Sequence, residues 1–416
     1  MSQLPTAGAI AIDGGDLPLG GGVLALLRPA LSRVEDGGIV ALLSSSTTLH
    51  QDLSSWCRAE RHAYLGERCL ADGRYEHFIQ RRSVRHVPVN GARPLEWKGE
   101  YPTTVDVVSA SPFPARADGS SGFAPRGAEP EPGGRVHSFA LTERDRVAPP
   151  EVAQLYDQAV SNQWSVRDIE WNKLKPQWTR LEEAVVQIMT FLAENELSAL
   201  YVPSQFVSRI HPAYAETALF LATQLADEAR HIDVFVKRAR ISSATLGISA
   251  ATTSDSLLSL LDSDDFTEAS FLLSVLGEGT FLNLLKFVER HAPDEPTAEI
   301  ARKARLDEAR HVRFGIAHVR HALACDPVLF KRLEHAVRQR SARLTDSGGG
   351  VPAPIQDALT ILAARGTDPQ SVRRGHEAYQ ALLDEMHGDR VKRLLSAGFT
   401  TEQSESLSGL HTPNFM

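Results

Sequence analysis

The chain has 416 residues, 42% of them hydrophobic and 23% charged, which is the composition of an ordinary globular protein of two or three domains. A formal net charge of −8 argues against a nucleic-acid-binding surface and against a basic membrane-binding patch. No run approaches the roughly 20 uninterrupted apolar residues that a membrane span requires. The N-terminus lacks the features of a signal peptide, and the three cysteines form no paired framework, so we expect a cytoplasmic protein.

Residues 1–83 are predicted to form a small α+β domain with the element order βαβαββ. The Asp72-Gly73 pair is a hairpin turn signal between the last two strands. In chain order, the six elements are predicted at Ala9–Ile12, Gly21–Val34, Ile39–Leu43, Leu49–Tyr64, Cys69–Leu70 and Tyr75–Ile79.

Residues 84–148 are rich in Pro, Gly, Ser and Arg, and predict a mostly irregular linker with a short strand around Val105–Ser109. Residues 149–400 are predicted to be helical, and residues 401–416 to be a flexible tail. Pro203 and the polar segment 242–256 are expected to interrupt the helices. The long helices are predicted at Leu181–Val202, Tyr214–Arg240, Asp265–His291 and Thr297–Ala324, and the later, shorter ones at Pro327–Leu344, Pro352–Arg365 and Ser371–Ala397.

The pentapeptide Asp-Glu-Ala-Arg-His occurs twice, at Asp227–His231 and at Asp307–His311. Each copy contains Glu-x-x-His, which places a carboxylate and an imidazole on one face of a helix, one turn apart. Such a pair is half of a site for a divalent transition metal. One copy alone is weak evidence, because Asp-Glu-Ala-Arg is also ordinary composition for a solvated helix.

The other two long helices each carry a glutamate within an apolar run. Glu278 has no other charged residue between Ser270 and Lys286, and the first long helix offers Glu196 or, as the alternative, Glu194. Charged side chains are rarely buried unless they are paired or bind a metal. A four-helix bundle can turn these groups inward, so the predicted ligands of a dinuclear centre are Glu196, Glu228, His231, Glu278, Glu308 and His311.

Residues beside these ligands are suited to support them. A metal-bound histidine needs an acceptor for its other ring nitrogen, and Asp227 and Asp307 can provide one across the bundle. Arg230 and Arg310 can hold those aspartates and offset the carboxylate charge.

Over about residues 150–325 the chain resembles the ferritin-like di-iron carboxylate superfamily, in the branch of the ribonucleotide reductase small subunit and the bacterial multicomponent monooxygenases. Both Asp-Glu-x-Arg-His motifs match, and Gly277–Asn283 matches the monooxygenase pattern Gly-Glu-x-x-Phe-Thr-Asn except that Leu282 replaces the threonine. The resemblance implies a mainly α fold, a four-helix bundle with extra helices, and two iron ions, with manganese as a possible substitute. It also implies dioxygen as co-substrate.

The N-terminal domain resembles the TusA-like sulfur-carrier fold in its element order. The sulfur-carrying cysteine of that family is replaced here by the run Gly20-Gly21-Gly22 at the start of the first helix. We therefore expect a docking or dimerisation module without persulfide chemistry, and Cys57 as a core residue.

The leading hypothesis is an O2-dependent di-iron oxidase or oxygenase that oxidises carbon or nitrogen in a small organic molecule. We expect an external electron donor and a homodimer, and neither nucleic acid nor membrane as a partner. The alternatives are a ferroxidase or iron store, a scaffold stapled by metals, and a radical-generating subunit like that of ribonucleotide reductase. The last would need a tyrosine near the metals, and Tyr201 and Tyr214 are the nearest in sequence to the predicted ligands of the first two helices.

Overall fold

The chain divides into two compact units, Met1–Lys98 with Glu129–Gly134 and Gly99–Ala128 with Arg135–Met416. The first part of the predicted linker, residues 84–101, lies outside the described residues. A computed structural model describes residues 5, 7–82, 102–106, 108–110, 112–128, 130, 135–175, 179–326, 328–346 and 350–411.

The first unit is a four-stranded mixed sheet with two helices, in the predicted order βαβαββ. The strand order is β1-β2-β4-β3, in which β1 and β2 are parallel and the other pairs are antiparallel. Val40 on β2 lies opposite Ile79 on β4, and both contribute to the core beneath the helices. The elements are β1 Ile10–Asp13, α1 Leu24–Arg33, β2 Ile39–Ser44, α2 Leu49–Ala59, β3 Ala63–Cys69 and β4 Tyr75–Gln80.

Two boundaries in this unit differ from the prediction. Helix α2 ends at Ala59 and not at Tyr64, because Arg61 adopts a left-handed φ of 62° and the chain turns into β3. Strand β3 is consequently longer than predicted. The hairpin turn at Asp72-Gly73 is confirmed, with Gly73 at a φ of 85°. Cys57 is buried in the core, as expected, while the resemblance to the sulfur-carrier fold stays a prediction.

The second unit is helical. A π-helix, Phe271–Glu278, joins α7 to α8, so that the third long helix is continuous from Phe266 to His291. In chain order, the helices are α3 Val152–Ser161, α4 Thr179–Val207, α5 Ala215–Ser242, α6 Ala251–Leu260, α7 Phe266–Ser270, α8 Gly279–His291, α9 Glu295–Cys325, α10 Leu329–Asp346, α11 Ala353–Ala364, α12 Pro369–Ser396 and α13 Thr401–Leu410.

Two hydrophobic cores reveal the topology of the bundle. The first core contains Phe206, Phe220, Phe271 and Phe314, and the second contains Leu192, Phe235, Phe281 and Ala304. Helices α4 and α9 run from the second core to the first, whereas α5 and the third long helix run from the first to the second. Helix α5 and the third long helix are therefore parallel, and one long crossover that includes α6 joins them. A single long crossover characterises ferritin-like bundles, and the predicted fold class is confirmed.

Three expectations about helix boundaries were wrong. Helix α4 continues through Pro203 to Val207, because Val202 and Phe206 on either side are buried in the first core. The segment 242–256 was expected to be a loop, but α6 begins within it and buries Leu257 in the same core. The predicted tail forms α13, which starts with a capping box and buries Leu407; residues 412–416 lie outside the described part.

Further differences concern the predicted linker and the apolar third helix. Val108–Ala110 is a short 3₁₀ turn where a strand was expected. Phe139 and Val147 are buried, so this part of the predicted linker packs within the second unit. The segment Phe266–His291 is long and apolar enough to span a bilayer, but 89% of its most apolar window is buried inside the protein, as in the core helix of a bundle.

Candidate metal centre

The predicted ligand side chains meet where each long helix passes from one hydrophobic core to the other. They form two overlapping groups, and within each group the ligand atoms lie within 4.8 Å of one another. Glu228 and Glu308 belong to both groups. One group is Glu196, Glu228, His231 and Glu308, and the other is Glu228, Glu278, Glu308 and His311.

Both imidazoles turn the same ring nitrogen toward the carboxylates. His231 Nδ1 lies 3.1 Å from Glu228 Oε2 and 3.4 Å from Glu196 Oε1. His311 Nδ1 lies 2.9 Å from Glu228 Oε1 and 3.4 Å from Glu308 Oε2. The one-turn spacing of Glu-x-x-His in α5 and α9 thus places each carboxylate beside its own imidazole, with the Nδ1 atoms facing inward.

The centre is sealed from solvent, since each of the six side chains is at most 1% exposed. Burying a carboxylate oxygen without a partner costs about 2 kcal/mol or more, so a group of such oxygens in one place indicates a site for a cation. Six carboxylate oxygens of this centre make no hydrogen bond to the described residues. They are Glu196 Oε1 and Oε2, Glu228 Oε1, Glu278 Oε2, and Glu308 Oε1 and Oε2.

Electrostatics reflect this crowding of acids. Burial, and then repulsion from Glu228 and Glu308, raises the pKa of Glu196 well above its usual value. Burial and repulsion from Glu308 also raise the pKa of Glu278. Burial acts in the same sense on Glu228, but attraction to His311 and hydrogen bonding outweigh it and lower that pKa to about 2. A divalent cation would displace the protons that these side chains hold and would balance the negative charge of the carboxylates.

Each histidine is held by the aspartate of the other pentapeptide. His231 Nε2 lies 3.1 Å from Asp307 Oδ2, and His311 Nε2 lies 3.3 Å from Asp227 Oδ2. These distances fit the tautomer in which Nε2 carries the proton and Nδ1 keeps its lone pair for a metal. The side chains of the two predicted aspartates therefore reach across the bundle.

The two predicted arginines connect the aspartates. Arg230 Nη2 contacts Asp227 and lies 3.1 Å from Asp307 Oδ2. Arg310 Nη2 contacts Asp307 and lies 3.2 Å from Asp227 Oδ2. The result is a nearly two-fold symmetric network in which both cations bind both acids, as an internal repeat would produce.

Three residues that the sequence analysis did not assign also touch this network. Trp164 Nε1 donates to Asp307 Oδ2 at 2.6 Å, and Gln163 Nε2 donates to Asp227 Oδ1 at 3.2 Å. Gln224 Nε2 donates to Glu278 Oε1 at 2.9 Å, and Gln224 is 1% exposed. Gln224 lies four residues before Glu228, so its place on the ligand face of α5 was available from helical spacing.

The remaining candidates lie elsewhere. Glu194 accepts from Ser249 at 2.6 Å and joins neither ligand group, so Glu196 is the glutamate of α4 that enters the centre. Tyr201 is 56% exposed, and the Tyr214 hydroxyl donates to the Thr142 carbonyl at 2.9 Å. Leu282 lines a surface depression beside α12, away from the buried carboxylates.

The π-helix ends at Glu278 and is buried throughout. Single π-turns inside α-helices occur frequently at functional sites, because the extra residue rotates the side chains that follow. Gly315 allows α9 to approach it closely, since a Cβ atom there would lie 2.6 Å from Ser274 Cβ. The close packing fixes the segment that carries Glu278.

A narrow apolar cleft adjoins this segment. Its walls come from α4, α5, α7, the π-helix and α9. The volume of the cavity is about 10 Å³. Among the described residues that line it none is charged, and the polar ones are Gln224, Ser270 and Ser274. Because Gln224 also bonds to Glu278, the cleft reaches the edge of the carboxylate cluster.

Comparison with known proteins gives structural resemblances only. No protein-family profile matches the chain, and no curated protein sequence matches it. Among solved structures, the chain is similar to an R2-like ligand-binding oxidase variant with an aerobically reconstituted Mn/Fe cofactor, at 18% identity and a TM-score of 0.47 over 60% of this chain and 94% of the other. The chain is also similar to an R2-like ligand-binding oxidase variant with an aerobically reconstituted Fe/Fe cofactor, at 18% identity and a TM-score of 0.46 over 62% of this chain and 93% of the other.

Proposed function

We propose that the protein is an O2-dependent di-metal oxidase or oxygenase that acts on a small organic molecule. The observation that carries this proposal is the convergence of four buried glutamates and two histidines in two overlapping groups that share Glu228 and Glu308. A Glu from each of two helices with a Glu-x-x-His pair from each of the other two is the ligand set of di-iron and di-manganese carboxylate bundles.

The donor set fits a pair of iron ions or a manganese–iron pair. Six carboxylate oxygens without hydrogen bonds, and two inward Nδ1 atoms, supply hard oxygen and borderline nitrogen donors. Glu196 and His231 would hold one ion and Glu278 and His311 the other, with Glu228 and Glu308 between them. When bound, such a pair supplies the electrons and the Lewis acidity for the reduction of dioxygen.

The protein's own contribution is to position the ligands and exclude water. Asp307 and Asp227 fix the two imidazoles, and Gln224 holds one oxygen of Glu278 while the other makes no hydrogen bond to the described residues. The two hydrophobic cores above and below the carboxylates keep solvent from a strong oxidant. These are the requirements of oxidation chemistry and exceed those of a structural metal staple.

The cleft beside Glu278 supports a neutral, largely apolar substrate. Its walls include Phe206, Phe266 and Phe314, and a charged substrate group would find no counter-ion among the described lining residues. The amide of Gln224 and two serine hydroxyls can orient one polar substituent. The cleft is narrow, so a substrate larger than a few atoms requires these side chains to move. If one oxygen atom is inserted into the substrate, two ferrous ions would supply the two further electrons for a single turnover, and each later turnover would require two electrons from an outside donor.

Dioxygen uptake by the metal-loaded chain tests the proposal. The protein is loaded anaerobically with ferrous iron, exposed to O2, and assayed with neutral apolar compounds that carry one hydroxyl or amine. The proposal expects about one O2 consumed for each loaded chain and an oxidised product that depends on the compound. Oxidation of many irons per chain without organic product would instead indicate a ferroxidase or store, and the absence of O2 uptake would indicate a structural metal site.

A further inference from the structure

A second group of metal-ligating side chains lies outside the carboxylate centre. Asp145, His321 and Cys325 each offer one ligand atom, and these atoms lie within 4.8 Å of one another. The group combines oxygen, nitrogen and sulfur donors, whereas the carboxylate centre contains no sulfur.

The local fold explains this convergence. His321 and Cys325 are four residues apart on α9, so their side chains share one face in its last turns. Asp145 belongs to the 3₁₀ turn Arg144–Arg146, which packs against α9. The C-terminal end of a helix carries partial negative charge, which favours a cation at this position.

The ring of His321 is only partly satisfied. Its Nε2 atom is shielded from solvent and makes no hydrogen bond of acceptable geometry to the described residues, although Asp145 Oδ1 lies 3.5 Å away. A shielded ring nitrogen without a partner is unfavourable. A cation held between the imidazole and the carboxylate would satisfy both groups.

We propose that Asp145, His321 and Cys325 bind a thiophilic divalent cation, of which Zn²⁺ is the best fit. Zinc accepts thiolate, imidazole and carboxylate in tetrahedral sites, and three protein ligands leave one position for water. Asp145 and Cys325 are exposed, so the fourth position faces solvent and the ion exchanges readily. One thiolate and one carboxylate would balance the charge of the ion.

Cobalt binding to the full chain provides the spectroscopic test, because a Co²⁺–thiolate bond has a charge-transfer absorption that oxygen and nitrogen ligands lack. The proposal expects this band in the wild-type protein and in Cys69→Ser, which removes the other exposed cysteine. The band disappears in Cys325→Ser and weakens in His321→Ala. A wild-type protein without the band, or a band that survives Cys325→Ser, overturns the proposal.

Zinc protection of the thiol gives an independent readout that needs no variant. At a Zn²⁺ concentration about ten times the dissociation constant, mass action slows alkylation of Cys325 about tenfold. Cys69 serves as the internal control in the same mass-spectrometric experiment, because it is exposed and lies outside the cluster. Equal alkylation of Cys325 with and without millimolar Zn²⁺ contradicts the proposal, whatever metals the carboxylate centre binds.

Discussion

His231 Nε2 lies 3.1 Å from Asp307 Oδ2, although the two residues are 76 positions apart and belong to different copies of the repeated pentapeptide. Each copy of the pentapeptide therefore supplies the aspartate that contacts the histidine of the other copy. Removing one aspartate would release the histidine of the other helix and leave its own neighbouring glutamate in place.

Asp307→Asn tests this crossed arrangement. The amide can present its nitrogen where His231 Nε2 needs an acceptor, so the ring loses its fixed orientation and its basicity. Loss of such a partner typically costs about 10–100-fold in metal affinity. Competitive titration with a chelator measures the change. As a control, Asp233→Asn should leave metal affinity unchanged, because Asp233 is exposed to solvent and pairs with Lys237.

Glu196→Gln and Glu194→Gln form a matched pair on one helix. Glu196 belongs to a ligand group, whereas Glu194 bonds to Ser249 outside it. We expect Glu196→Gln to weaken binding of the ion beside His231 and to lower the iron content toward one ion per chain. Glu194→Gln should keep the wild-type content. Elemental analysis after anaerobic loading and desalting would show equal contents for the two variants if the assignment were wrong.

Ala269→Leu narrows the cleft beside Gln224. Ala269 lines this cleft and is buried, so the added carbon atoms occupy space that a substrate would use, at a stability cost of about 1–3 kcal/mol. Metal content should remain that of the wild type, and kcat/KM for an accepted substrate should fall. The same change at the exposed Ala251 is the control. If kcat/KM is unaltered in Ala269→Leu, the substrate does not use this cleft.

His318 makes stability depend on pH. It is fully buried, with Nε2 3.0 Å from Thr267 Oγ1, and burial followed by repulsion from His321 lowers its pKa from 6.5 to about 4. The unfolded chain takes up a proton below pH 6.5, whereas the folded chain does so only near pH 4. The contribution to stability is therefore complete above pH 6.5 and is lost as the pH falls toward 4.

Denaturant unfolding of the metal-free protein measures this effect. Between pH 7 and pH 5.5 the wild-type free energy of unfolding should fall by about 1 kcal/mol more than that of His318→Gln, which cannot titrate. Parallel pH profiles of the two proteins would show that His318 does not carry the dependence.

The sequence predicted which side chains converge in the carboxylate cluster because their spacing is local and their setting is unusual. Glu278 in an apolar run and the repeated Glu-x-x-His pairs required no knowledge of the tertiary structure. The preference for Glu196 over Glu194 also agrees with the geometry, since one face of α4 admits only one of them. The role of these residues as metal ligands remains a proposal.

The sequence failed where tertiary packing overrides local preference. Pro203 lies inside α4 because its neighbours are buried on both sides, and α13 forms because Leu407 reaches the first core. The hydrogen bond between Trp164 and Asp307 joins residues that are 143 positions apart, and no local sequence pattern predicts it. The π-helix that ends at Glu278 packs closely against Gly315, and sequence spacing does not reveal this contact.

Metal stoichiometry tests the central claim most directly. Wild-type protein and the double variant Glu228→Gln with Glu308→Gln are loaded with ferrous iron without oxygen, dialysed against metal-free buffer and analysed for iron per folded chain. The shared position of these two carboxylates predicts about two ions in the wild type and a loss of both in the variant. A wild-type protein that retains no iron, or a folded variant that retains as much as the wild type, would contradict the account.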